Sequence, residues 1–229
     1  LQVLAGMLLG LASSALGEPG ISCSLVTTAP VVDGRLDDPV WREADPTPLV
    51  GNMGEEGVEP STSFRLCTDG EWLYLAAEAS DPGADSLSRD KGERDRILFD
   101  ETMEVFLAPD PDRPLYYHFA VDPAGTLYDN IGQSGATDNN FGWRCVTRLG
   151  DDGWAAELAL PLKELGLPAG VGKGSRMALN VCRTTREGAR YQCWSPTGSS
   201  FHRRNRFGTL VVGSLRAEAD KRLAELEQR

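Results

Sequence analysis

Thr102-Met103-Glu104-Val105-Phe106-Leu107-Ala108 sets Met103, Val105 and Leu107 on one side of an extended chain and Glu104 and Phe106 on the other, because successive side chains of a strand point to opposite faces. Leu115 to Val121 repeats the pattern, with Tyr117, Phe119 and Val121 against Tyr116, His118 and Ala120. Each segment therefore places one polar group, Glu104 or His118, among apolar neighbours. Working outward, Ser63 to Thr68 and Glu71 to Ser80 flank Asp69-Gly70, a dipeptide suited to a tight hairpin turn. Similar segments run over Thr126 to Ile131, Trp143 to Leu149, Trp154 to Leu160, Met177 to Thr185, Arg190 to Trp194 and Phe207 to Val212. Asp151-Asp152-Gly153 and Glu187-Gly188 supply further turn signals. About ten short strands at this spacing predict an all-β sandwich or barrel.

Helical signals are few. Asp38 stands where it could cap a turn beginning at Pro39, and Pro161 opens Leu162 to Leu165 before Gly166 stops it. A longer pattern, Ser214 to Arg229, spaces Leu215, Ala219, Leu223 and Leu226 by four, four and three residues, which predicts a short amphipathic C-terminal helix. Such a helix can pack on the sandwich or serve self-association. At the other end, Leu1 to Gly17 is uncharged and ends in Ala12-Ser13-Ser14-Ala15, the pattern of a secretory leader. Export to a secreted or periplasmic location is the expectation, and no later segment is apolar enough to span a bilayer. The chain thus divides into a leader over 1–20, a sandwich over 21–213 and a helix over 214–229.

The 229 residues carry 34 acids against 23 bases, a net charge of −11. That balance argues against nucleic acid and anionic membranes as partners, because neither is drawn to an acidic surface. Neutral ligands, sugars included, remain. A chain of this length can bury a core without disulfides or metal. Its five cysteines, Cys23, Cys67, Cys145, Cys182 and Cys193, form no CxxC pair, which leaves buried thiols and disulfides as the two readings. If Glu187 and Gly188 are the centre of a hairpin turn, Cys182 and Cys193 lie directly opposite. That register makes them a hydrogen-bonded pair about 5.5 Å apart at Cα. The sequence leaves open whether they are bridged.

Several phrases now occur in a telling order: Val32-Asp33-Gly34-Arg35-Leu36-Asp37-Asp38-Pro39-Val40-Trp41, Leu73-Tyr74-Leu75-Ala76 with Asp81-Pro82, and Glu101-Thr102-Met103-Glu104-Val105-Phe106-Leu107. They continue with Gly153-Trp154-Ala155-Ala156-Glu157-Leu158-Ala159-Leu160-Pro161, Leu179-Asn180-Val181-Cys182-Arg183, Cys193-Trp194-Ser195-Pro196 and Phe207-Gly208-Thr209-Leu210. From Pro30 to about Val212 the chain resembles the family 9 carbohydrate-binding modules and their relatives. The resemblance implies a jelly-roll-like antiparallel sandwich that binds saccharides, is often carried on secreted polysaccharide-degrading enzymes, and holds structural calcium in some members.

The resemblance also implies a site in which two tryptophans clamp a terminal sugar while a carboxylate and a basic residue bond its hydroxyls. Trp194 matches the second tryptophan, Glu104 the carboxylate and His118 the basic group. Where the first tryptophan would stand, this chain has Leu98 with Phe99 beside it, so Phe99 is the aromatic candidate. Arg183 is a further candidate for saccharide contact or for an ion pair with Glu104. Asp81 and Glu101 are the candidate calcium ligands, being hard oxygen donors. No cofactor is required for such binding, since an aromatic plane and a few polar groups suffice. The chain carries no nucleophile elbow, P-loop, HExxH or dinucleotide fingerprint, so it is expected to be a non-enzyme whose linked partner, if any, is a glycoside hydrolase. Rival readings are a haem-binding electron-transfer sandwich using His118, His202 or a methionine as axial ligand, and an accessory or structural module without a sugar site.

Overall fold

The computed structural model describes residues 19–132 and 139–216, so all but the last two residues of the leader over 1–20 and most of the C-terminal helical stretch lie outside the described residues, and Gly20 already belongs to the first strand. Thirteen strands occur among those described: β1 (Gly20–Leu25), β2 (Thr47–Pro48), β3 (Val50–Gly51), β4 (Thr62–Thr68), β5 (Trp72–Ser80), β6 (Thr102–Ala108) and β7 (Tyr117–Val121) in the first half. The second half adds β8 (Leu127–Ile131), β9 (Arg144–Leu149), β10 (Gly153–Pro161), β11 (Arg176–Thr184), β12 (Tyr191–Cys193) and β13 (Gly208–Val212). A short α-helix, α1 (Pro39–Glu43), lies between β1 and β2. All ten segments expected from alternation are strands; β1, β2 and β3 are additional.

The strands form two layers. One runs β8-β7-β6-β11-β13-β1, with β12 beside the C-terminal half of β11 and β3 beside β12. The other runs β1-β4-β5-β10-β9, with β2 on β4. Pairing is antiparallel except at β1, whose Gly20 to Cys23 run parallel to Thr209 to Val212 while Ser24 and Leu25 run parallel to Cys67 and Thr68. The expectation of a purely antiparallel sandwich is corrected at this strand, which belongs to both sheets.

The period of two decides what each layer buries. Phe64 and Leu66 of β4, Leu73 and Leu75 of β5, Met103, Val105 and Leu107 of β6, and Leu158 and Leu160 of β10 meet between the sheets. Each such side chain removed from water contributes roughly 1.5–3 kcal/mol. Three tryptophans join buried structure with their indole N–H satisfied by a carboxylate: Trp41 donates to Glu157 at 2.7 Å, Trp143 to Asp129 at 3.0 Å and Trp154 to Glu101 at 3.2 Å. Buried indoles need such partners.

The outer face of the β4-β5-β10 layer is covered by the segment before and through α1. Trp41 packs there with Cys67, Tyr74, Ala76 and Ala159, and Val32, Leu36 and Val40 lie against them. Glu157 ties this strap down, since its second oxygen accepts the backbone N–H of Asp33 and Gly34, each at 3.0 Å. Gly34 has φ of 76°, and a Cβ there would come within 3.2 Å of Val146. Asp38 occupies the cap position but makes no side-chain cap bond; its Oδ2 accepts the N–H of Val31 at 3.1 Å instead. Leu162 to Leu165 form overlapping turns rather than a helix, with Leu165 N–H donating to Leu162 O at 3.1 Å.

Candidate functional site

Alternation sends the other half of each strand outward from the β6-β7-β11 layer. Glu104 and Phe106 of β6, His118 of β7 and Cys182 of β11 share that outer face, in register with Ala120, His118, Phe106 and Glu104 respectively on the strands alongside. His118 sits 4.2 Å from Phe106 in a stacked arrangement, and Phe201, Phe207 and Tyr116 extend the aromatic cluster. Tyr128 and Phe99 stand on the other side, with centroids 5.2 and 6.0 Å from His118. Phe99 is 43% exposed and forms the rim.

The polar groups beneath these rings are tightly held. His118 Nε2 lies 2.8 Å from Glu104 Oε2, while Glu104 Oε1 accepts the hydroxyls of Thr102 and Thr184 at 3.2 and 3.1 Å. A carboxylate only accepts, so Nε2 carries the proton of that bond. His118 is 2% exposed, and its Nδ1 has no hydrogen-bond partner among the described residues. His202 closes the face from above, its Nδ1 3.0 Å from the Tyr116 hydroxyl and its ring perpendicular to that of His118 at 5.1 Å. Burial lowers the His202 pKa, the neighbouring His118 adds a smaller push the same way, and the Glu104 carboxylate opposes both.

Other expected residues lie elsewhere. Trp194 is 8% exposed and points between the sheets, edge-on to Phe64 at 6.1 Å. A Cβ at Gly208 would meet its ring at 2.6 Å, so the indole is packed against backbone and offers no open plane to a sugar. Arg183 also points inward, because it pairs with core-facing Met103 while Cys182 pairs with Glu104. The expected Glu104–Arg183 pair is corrected accordingly. Arg183 instead reaches Glu101 at 2.9 Å, Asp81 at 3.4 Å, Thr62 Oγ1 at 3.1 Å and Ser80 O at 2.8 Å.

Asp81 and Glu101 thus converge on a guanidinium. Asp81 Oδ1 also accepts Gly83 N–H at 2.8 Å and Glu101 accepts Trp154. The cation between the two carboxylates is Arg183, and this donor set does not fit a calcium ion. Among the described residues no group of three or more His, Cys, Asp or Glu is arranged to hold a metal. The haem reading fares no better on geometry. The rings of His118 and His202 touch edge to face, leaving no slot between them for a macrocycle.

A family model described as carbohydrate family 9 binding domain-like matches residues 32–214. The chain belongs to this family. Exoglucanase XynX of Acetivibrio thermocellus is 25% identical over 199 residues, covering 86% of this chain and 18% of that protein. Endo-1,4-beta-xylanase A of Thermoanaerobacterium saccharolyticum is 25% identical over 188 residues, covering 80% and 15% respectively. The chain therefore spans less than a fifth of the length of these curated relatives. Among solved structures, a Bacteroides uniformis protein superposes with a TM-score of 0.66 at 22% identity, covering 86% of this chain and 99% of its own. A family 9 carbohydrate-binding module from Caldicellulosiruptor kristjanssonii, in complex with cellotriose, gives 0.63 at 18% identity, covering 86% and 94%. These likenesses show the fold.

Of the candidate saccharide contacts, Glu104, His118 and Phe99 come together on one face; Trp194 and Arg183 do not join them. Tyr128 and His202 complete the face without having been singled out for it. Tyr128 carried a usable signal, since it lies one strand pairing away from Ala120 within an alternating segment. His202 lies in a loop before a short helical turn, where no periodicity fixes direction.

Proposed function

We propose that the chain is a non-catalytic saccharide-binding module, built on a jelly-roll-like sandwich, that receives a neutral sugar on the outer face holding His118. One observation carries this reading: His118 Nδ1 is buried and unpartnered beside the exposed ring of Phe99. A buried polar atom left without a bond is costly, and a sugar hydroxyl is a donor of the right kind. Glu104 acts as a positioning residue, holding the proton on Nε2 so that Nδ1 presents its lone pair. The apolar C–H face of a sugar ring can lie against Phe99 and Tyr128. Glu104 already accepts three bonds, which supports a holding role and not an acid–base one.

The relatives' names support a place beside polysaccharide-degrading enzymes, and the leader-like start supports an exported protein. Isothermal titration against glucose, cello-oligosaccharides and xylo-oligosaccharides tests the proposal. Binding should appear and weaken at least tenfold, about 1.4 kcal/mol, in Phe99→Ala and Glu104→Ala. In Glu104→Ala the ¹⁵N shifts of His118 should also report a changed tautomer. No binding to any glycan, with the wild-type fold intact, would overturn it.

A further inference from the structure

Cys182 and Cys193 occupy directly opposite positions on β11 and β12. The ladder bonds fall on their neighbours: Trp194 N–H donates to Val181 O at 2.8 Å and Thr185 N–H to Arg190 O at 2.9 Å. Hydrogen-bonded and non-hydrogen-bonded pairs alternate along an antiparallel ladder. The two cysteines are therefore a non-hydrogen-bonded pair, not the hydrogen-bonded pair that the sequence suggested. Such pairs hold their Cα atoms about 4.5 Å apart with side chains drawn together, within the span that a disulfide bridges.

Both residues are fully buried on the same outer face, in the cluster with Phe106, Phe201 and Phe207. The other cysteines lack such a partner. Cys23 faces the core, whereas Cys67, one register step away across the β1–β4 ladder, faces the opposite side of its sheet. Cys145 lies opposite Leu158. All five are free thiols in this structure, and Cys193 Sγ contacts Asn52 Oδ1 at 3.3 Å.

We propose that Cys182 and Cys193 form a cross-strand disulfide when the protein folds in an oxidising compartment. The oxidant is a small-molecule disulfide such as glutathione disulfide. One cysteine thiolate attacks it, forming a mixed disulfide and expelling one glutathione thiolate; the second cysteine thiolate then attacks the mixed disulfide and expels the other. Two protein thiols are oxidised, two glutathione thiols are produced, and the two protons pass to them. Burial pushes the Cys193 thiol up to about 11 and holds Cys182 well above its usual value. Exchange therefore belongs to the stage before β12 docks, and β12 is only three residues long. Once closed, the bridge is shielded from reductant by the aromatic cluster. It also tethers the strand leading to Phe201 and His202, which roof the outer face beside Glu104.

The test is a thiol count on the full chain refolded in a glutathione redox buffer and alkylated in denaturant. Three adducts are expected after oxidation against five after reduction, with a peptide joining Cys182 to Cys193 in the digest. The oxidised protein should melt roughly 5–10 °C higher than the reduced one, and Cys193→Ser should lose that redox dependence. Five adducts after oxidation, or a bridge to Cys23, Cys67 or Cys145, would overturn the proposal. If the serine variant does not fold, the thiol count on the unaltered chain decides alone.

Discussion

Arg183 meets Glu101 at 2.9 Å between the two sheets, with its side chain wholly removed from solvent. Asp81 and Trp154 close the same knot, so the guanidinium joins β11 to the end of β5 and to the approach to β6. Burial raises the Glu101 pKa and Arg183 pulls it back. Replacing Arg183 by Met should cost about 3–5 kcal/mol, because two carboxylates lose their counter-charge. Lysine should rescue little of this, since it cannot reproduce the planar fork. Chemical denaturation measures the loss, which should shrink at acidic pH as Glu101 takes up a proton. Equal stability of Arg183→Met and the unaltered chain at pH 7 would refute this account.

Glu157 plays the corresponding part on the other side of the molecule. It receives the Trp41 indole and two backbone N–H groups of the strap. Glu157→Ala strands three donors, each worth about 1–3 kcal/mol when buried and unpaired, although the loosened strap can turn some of them to water. A loss of roughly 3 kcal/mol and a melting midpoint about 10 °C lower are expected. Limited proteolysis should cut first near Asp33 to Leu36. Unchanged proteolysis there would separate the strap from Glu157.

Acid should weaken the aromatic face through His202. Its folded pKa lies below the ordinary 6.5, chiefly from burial, with a smaller push the same way from the neighbouring His118 and Glu104 offsetting part of it. Tyr116 and Phe106 are its other neighbours. Below about pH 6.5 the unfolded chain binds this proton more readily than the folded one, so stability falls as pH drops through that window. Denaturation midpoints at pH 7.5 and 5.5 should differ more in the unaltered chain than in His202→Asn. An identical difference in both would remove His202 from the effect.

The strands were legible because their alternation is long enough to read; Thr102 to Ala108 and Trp154 to Leu160 announce both faces at once. β2 and β3 were not, since two residues carry no period, and β1 adjoins the leader-like run that masks it. Glu104 and His118 stood out as polar groups on otherwise apolar strands, and they do meet. Trp194 misled because the family phrase names a residue and not a direction. The register held the correction: if Cys193 opposes Cys182, then Trp194 opposes Val181, a core residue, and must point inward. Arg183 follows by the same parity, one step from Cys182. What alternation cannot supply is the loop that roofs a face, and so His202 went unplaced.

β1 and β13 lie side by side and parallel, from Gly20 beside Thr209 to Cys23 beside Val212, with Gly213 N–H bonded to Cys23 O at 2.8 Å. The chain thus enters the sandwich at the start of one strand and leaves at the end of its neighbour. Traction applied at these two points pulls the strands lengthwise past each other. Every rung between them then bears load together, instead of opening one at a time as in a peeled hairpin. A polypeptide anchored at one end and dragged at the other loads this seam in shear.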